Sequence, residues 1–135
     1  MAMAFARRFA LTLLGLLLVF KFVQGGLDTT MVNKICNGNV YGSSDPYANS
    51  VSYVLEDLAT VTANHPGYDY YTQSPYVEAT AYGHAVCSAS LSFTDCGTCV
   101  SSAKSQILSN CPNSIGVQIQ LQDCRMRYEN YPFSE

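Results

Sequence analysis

The 135-residue chain is 48% hydrophobic and 13% charged, with ten acidic residues, seven basic ones, ten tyrosines, six cysteines and no tryptophan. Three of the basic residues, Arg7, Arg8 and Lys21, precede every acidic one, so the rest of the chain sets four basic residues against ten acidic ones, a net −6. That balance lacks the basic footprint a nucleic-acid partner needs, and it makes an anionic membrane a poor partner as well.

The chain opens with Arg7-Arg8, a 12-residue apolar run from Phe9 to Phe20, then Lys21-Phe-Val23-Gln-Gly25-Gly26. A basic start, a short apolar stretch and small residues after it form the signal-peptide pattern. Val23 and Gly25 suit the positions three and one before a cut, so cleavage is expected after Gly25 or Gly26. A membrane anchor would need roughly 20 apolar residues, and Lys21 interrupts the run too early. Residues 1–25 are therefore expected to be a signal peptide, and 26–135 one secreted domain with no later membrane span.

About 110 residues suit a single domain with a modest core, a size at which secreted proteins commonly add disulfides. Cys36, Cys87, Cys96, Cys99, Cys111 and Cys124 all lie in that part, which points to three bridges, although six cysteines allow 15 pairings. Cys96-Gly-Thr-Cys99 could also be read as a redox pair or half a zinc site. A zinc site would want a second close pair, and a redox motif a thioredoxin-like alternation of strands and helices. Neither context is present.

In chain order, a short strand is expected to lead into Cys36. A helix is expected from about Pro46 to Thr62, with Asp45 as N-cap and Pro46 in the first turn. Val51, Val54, Leu55, Leu58 and Val61 form its apolar stripe, and Asn64-His-Pro66-Gly67 stops it. Strand chemistry follows over Tyr68–Thr72 and Val77–Cys87. A second helix spans about Phe93 to Asn110, capped by Ser92 with Asp95 three residues on. Cys96, Cys99, Val100, Ala103, Ile107 and Cys111 share one of its faces. Val117, Ile119 and Leu121 then alternate with Gln118, Gln120 and Gln122, giving a strand with one buried and one amide-lined face. The alternation changes phase to Cys124, Met126 and Tyr128 against Arg125, Arg127 and Glu129, which implies a bulge or tight turn near Asp123. Two helices and about five strands on non-repeating connections predict an α+β fold, two helices packed on a five-stranded antiparallel sheet.

There is no phosphate loop, paired-histidine zinc motif or nucleophile elbow. His84 reads as a packed or hydrogen-bonded histidine, and Glu78, Asp95 and Asp123 read as surface, capping and turn residues. Binding is the default function: tyrosines offer flat apolar faces with polar tips, and the amides beside Arg125, Arg127 and Glu129 could fix hydroxyl groups. A non-enzymatic binder that needs no cofactor or metal is expected.

The stretch Cys87-Ser-Ala-Ser-Leu-Ser-Phe-Thr-Asp-Cys96-Gly-Thr-Cys99 has the spacing Cys, eight residues, Cys, two residues, Cys. With Gly67-Tyr-Asp-Tyr70, Ala81-Tyr-Gly83, Asn113-Ser-Ile-Gly116 and Gln120-Leu-Gln-Asp-Cys124-Arg-Met-Arg-Tyr128-Glu129, it resembles the ginkbilobin-type plant cysteine-rich domain. That domain is also called the salt-stress-response/antifungal domain. The resemblance runs from about Asn33 to Phe133. It implies two helices on a five-stranded antiparallel sheet and the pairing Cys36–Cys111, Cys87–Cys96 and Cys99–Cys124. It also implies an extracellular, apoplastic defence protein that binds fungal cell-wall mannose or mannan, with a protein partner at the cell surface as the rival reading.

The family's sugar site uses an Asn after the first cysteine, an Arg in the penultimate strand and a Glu in the last. Here those positions are Asn37, Gln118 and Glu129, so the arginine is replaced. An amide keeps a donor and gains an acceptor but loses the charged two-pronged contact. The loss is worth about 1.5–3 kcal/mol, roughly tenfold to a hundredfold in affinity. A site retained in outline, with mannose affinity weakened or specificity altered, is expected, and Arg127 could compensate if it shares a side with Glu129. In a fully extended strand Gln118 and Glu129 would lie roughly 36 Å apart, so a shared site requires the chain to fold back near Asp123.

Overall fold

A computed structural model describes residues 26–135; the signal-peptide expectation for residues 1–25 lies outside them. The elements are β1 (Met31–Cys36), α1 (Pro46–Val61), β2 (Asp69–Gln73), β3 (Tyr82–Cys87), α2 (Phe93–Asn110), β4 (Val117–Leu121) and β5 (Cys124–Glu129). The strands form one sheet in the order β1-β4-β5-β3-β2, with every neighbouring pair antiparallel. The predicted α+β architecture is the one the chain adopts. Among the described residues, no helix is long and apolar enough to cross a membrane.

Both helices begin where the local chemistry places them. The Asp45 carboxylate accepts the Tyr47 N–H at 2.9 Å, with Pro46 in the first turn. The Ser92 hydroxyl accepts the Asp95 N–H at 3.1 Å. Each contact satisfies a donor that the first turn would leave unpaired. The stripe Val51, Val54, Leu55 and Leu58 is buried, as are Cys96, Cys99, Val100, Ala103 and Ile107 of α2. These faces close over Val117, Ile119, Leu121, Met126 and Tyr128 on one side of the sheet.

The phase change at Asp123 is a two-residue hairpin turn. Gln120 pairs with Arg125 and Val117 with Tyr128, leaving Gln122-Asp123 as the turn. That reversal keeps Val117, Ile119 and Leu121 on the same face as Cys124, Met126 and Tyr128. The second strand signal was read too long. Strand structure begins at Tyr82, and Val77 is 93% exposed. Residues 76–80 form a turn closed by Thr80 Oγ1 and the Ala79 N–H, both donating to the Tyr76 carbonyl. Thr, Tyr and Val raise strand propensity, but propensity without a neighbour to pair with does not make a strand.

Three disulfides join Cys36–Cys111, Cys87–Cys96 and Cys99–Cys124. The first ties the edge strand β1 to the end of α2. The other two fasten the start of α2 to β3 and β5, so the helix is anchored at both ends.

Candidate functional site

Because the helices cover one face of the sheet, residues of alternate parity crowd the other. The pairing aligns Ile35, Gln118, Arg127, His84 and Tyr71 in one row across all five strands. A second row holds Asn33, Gln120, Arg125, Val86 and Asp69. Glu129, Tyr82 and Gln73 align in a third. One step past β4, Gly116 continues that third row, and its carbonyl accepts the Asn37 N–H at 2.9 Å. Register therefore places two arginines, one histidine and four side-chain amides on one face that no helix covers.

The three sequence-predicted site residues come to this face in an uneven way. Asn37 and Glu129 both abut Gly116. An added Cβ on Gly116 would lie 2.2 Å from Glu129 Oε2, so only glycine leaves room for the carboxylate at that point. Glu129 is 6% exposed and accepts from Arg127 Nε at 3.2 Å. Asn37 is exposed, and its side-chain oxygen accepts the Asn39 N–H at 3.0 Å in a local turn. Gln118 stands directly opposite Arg127 in the β4–β5 pair. It lines a shallow cleft of about 230 Å³ with Asn33, Ile35, Gln120, Arg125 and Arg127, walled by Glu135. Asn37 and Glu129 lie outside that cleft. Arg127 does share a side with Glu129, as strand alternation allowed.

The floor beneath Glu129 is polar but closed. Tyr47 donates its hydroxyl to the Ile115 carbonyl at 2.6 Å, and Tyr128 to that of Ser114 at 2.5 Å. Burial pushes both phenols well above their ordinary range, and the nearby Glu129 charge adds to it. They act as fixed donors that hold residues 114–116 under the carboxylate.

His84 is 1% exposed, stacked on the Tyr71 ring at 3.9 Å and 10°. Its Nε2 lies 2.6 Å from Asp69 Oδ1 and its Nδ1 lies 3.2 Å from Glu135 Oε2. Both ring nitrogens thus face carboxylates, leaving neither free to take a proton from a substrate. It is a packed, hydrogen-bonded histidine.

Tyr71, Asp69, Phe133 and Glu135 were not singled out in the sequence. Glu135 reaches the face from outside the last strand. Arg127 Nη1 donates to its Oε1 at 3.1 Å, and Arg125 Nη2 lies 3.5 Å from its Oε2. Burial alone would raise this carboxyl, but the hydrogen bonds from Arg127 and His84 and the charge of Arg125 outweigh it and hold it below its ordinary value. A depressed carboxyl stabilises the docked state above its ordinary value of 4.5 and loses that contribution as pH falls through the lowered one. Residues 131–135 are therefore expected to leave the face as pH drops below about 4.5. The Phe133 ring resonances in proton NMR should move toward free-peptide positions over that interval. No movement would show that Glu135 does not hold the segment.

Residues 35–131 match the family model described as salt stress response/antifungal. The chain is 36% identical over 125 residues to the antifungal protein ginkbilobin-like protein 2 of Picea glauca, covering 91% of this chain and 93% of that one. It is 38% identical over 108 residues to the antifungal protein ginkbilobin-2 of Ginkgo biloba, covering 78% and 80%. The fold is similar to the tandem DUF26 ectodomain of the Arabidopsis thaliana cysteine-rich receptor-like protein PDLP5, with a TM-score of 0.71 and 29% identity. There the match covers 77% of this chain and 51% of the ectodomain, so the chain spans about half of that structure's length.

Proposed function

The chain belongs to the salt stress response/antifungal family, and we propose that it is a secreted plant defence protein that restrains fungi by binding cell-wall carbohydrate on the open face of its sheet. In this reading residues 1–25 direct the chain to the apoplast through the oxidising secretory pathway, in which the three bridges can form. The observation that carries it is the pairing of Gln118 with Arg127 across β4 and β5, with Arg127 bonded to Glu129. The guanidinium that the family supplies from β4 is supplied here from the adjacent strand. Asn33, Gln118 and Gln120 add amides that can both donate to and accept from vicinal hydroxyls.

A neutral mannose-type ligand is expected to bind with reduced affinity, because Arg127 divides its donors between Glu129 and its other partners. Gln118→Arg should raise mannan affinity about tenfold to a hundredfold, the worth of a charge-assisted contact. Glu129→Ala should abolish saturable binding. Calorimetric titration with mannan checks both. Absence of saturable binding in the parent, with no change on either substitution, would reject the carbohydrate reading.

A second reading is a protein-interaction module without sugar affinity. The edge strand β1 favours it: Met31, Val32 and Ile35 are exposed there, with Val40 just beyond. An open edge with apolar side chains is a ready surface for another chain. A glycan array that stays blank selects this reading.

A further inference from the structure

After β5 the chain turns back, and residues 131–135 lie across the open face. They are held at three points, each of a different chemical kind. The Arg127 guanidinium sits 4.2 Å from the centroid of the Phe133 ring and donates to the Tyr131 hydroxyl at 3.3 Å. The Glu135 carboxylate is taken by Arg127, Arg125 and His84 Nδ1. The Tyr71 hydroxyl accepts the Glu135 N–H at 2.9 Å and donates to the Glu135 main-chain oxygen at 3.0 Å. The body thus recognises an aromatic ring, a carboxylate two residues later and the backbone of the acidic residue.

Two further features mark a receptor rather than a continuation of the fold. Residues 131–135 form no strand, and their polar contacts run through side chains of β2, β3 and β5. A strand would be locked by a ladder of main-chain bonds; a segment gripped by side chains can leave while the sheet stays intact. Second, Arg125 and Arg127 are two of only four basic residues in a stretch with ten acidic ones. Placing half of them on one groove makes a local cationic site in an acidic domain, and the Glu135 carboxylate is complementary to it. Beside Phe133 a cleft of about 470 Å³, lined by Tyr71, Gln73, Tyr82 and Pro132, leaves room for a chain longer than the resident segment.

We propose that this groove is a peptide-recognition site for a partner segment carrying an aromatic residue two positions ahead of an acidic one, and that Tyr131–Glu135 fill it in cis as a detachable plug. A tethered plug acts at an effective concentration of about millimolar. A partner peptide therefore meets a site that is free only part of the time, and its apparent affinity falls by that fraction. The groove shares Arg127 and the open face with the carbohydrate reading, but it rests on the contacts of residues 131–135 and not on sugar binding.

The test uses the full chain and a fluorescent peptide of sequence Asn-Tyr-Pro-Phe-Ser-Glu, with mannan and oligogalacturonate titrated in parallel. The double substitution Phe133→Ser/Glu135→Gln removes the plug's ring and carboxylate and leaves the gripping side chains of β2, β3 and β5 unchanged. It should bind the peptide at least tenfold more tightly than the parent. Adding Arg127→Gln should remove that binding. Adding Arg125→Gln instead, at a side chain 44% exposed whose loss leaves the core intact, should weaken it severalfold. Equal peptide affinity in the parent and the emptied variant, or no binding in either, overturns the proposal. Oligogalacturonate binding the emptied variant as tightly as the peptide also overturns it, because the groove would then read sugar acids. The mannan result is scored separately and decides only the carbohydrate reading.

Discussion

Replacing Cys99 and Cys124 together by alanine is expected to cost about 4–5 kcal/mol of folding stability, out of the 5–15 kcal/mol usual for a domain. The bridge closes a separation of 25 residues, worth about 3.5 kcal/mol in chain entropy. Both cysteines are also buried at the α2–β5 contact, so their loss leaves a small void worth about 1 kcal/mol more. The instructive comparison is Cys36→Ala/Cys111→Ala. Its separation of 75 residues gives about 4.5 kcal/mol from entropy alone. Cys36 is exposed on an edge strand, however, so only the Cys111 half of the bridge leaves interior space, and β1 keeps its main-chain pairing with β4. Measured disulfide stabilisation also follows loop length only weakly, so the longer loop is no guarantee of the larger effect. The Cys99–Cys124 variant should therefore show the lower urea midpoint under non-reducing conditions. The opposite order would mean that unfolded-state entropy outweighs packing in this domain.

What could be read in advance follows the range of the forces involved. The two helices begin and end almost where local chemistry places them, because Asp45, Pro46 and Ser92 act within a few residues of themselves. The β4–β5 hairpin was legible for the same reason: a one-residue change of phase at Asp123 marks a reversal within reach of its own neighbours. Val77 misled because β-propensity says nothing about whether a partner strand is present. The pairing of the cysteines came with the family resemblance, since spacing alone left it open. The candidate site was legible only in part. Gln118 and Glu129 could be named, and Arg127 suspected, from alternation along two adjacent strands. The row that adds His84 and Tyr71 depends on β3 entering between β5 and β2, which no local pattern encodes. Glu135 meets Tyr71 across 64 residues of sequence, and nothing near Glu135 announces that contact. The groove therefore became visible only with the sheet order in hand.

Gly83→Ala is expected to cost about 1–3 kcal/mol, the range for overfilling a packed core. On the helix-facing side of β3 an added Cβ would lie 2.3 Å from Val54 Cγ1 and 2.9 Å from Leu58 Cδ1. Those two side chains are fully buried on α1. Val54 is β-branched and holds essentially one rotamer in a helix, so it cannot swing away and α1 must lift instead. Val54→Ala frees the space that the new methyl needs. The double variant should therefore lose less than the sum of the two singles, by a coupling of about 0.5–3 kcal/mol, read from urea midpoints. Strict additivity would mean that the strand rather than the helix moves. The substitution also separates scaffold from site. Gly83 points toward α1, while its neighbours Tyr82 and His84 belong to the open face. If α1 alone shifts, the stacking of His84 on Tyr71 and the grip of Arg127 on Glu135 persist, and ligand binding at low temperature stays unchanged as stability falls. Loss of binding in step with stability would show instead that the sheet bends at Gly83.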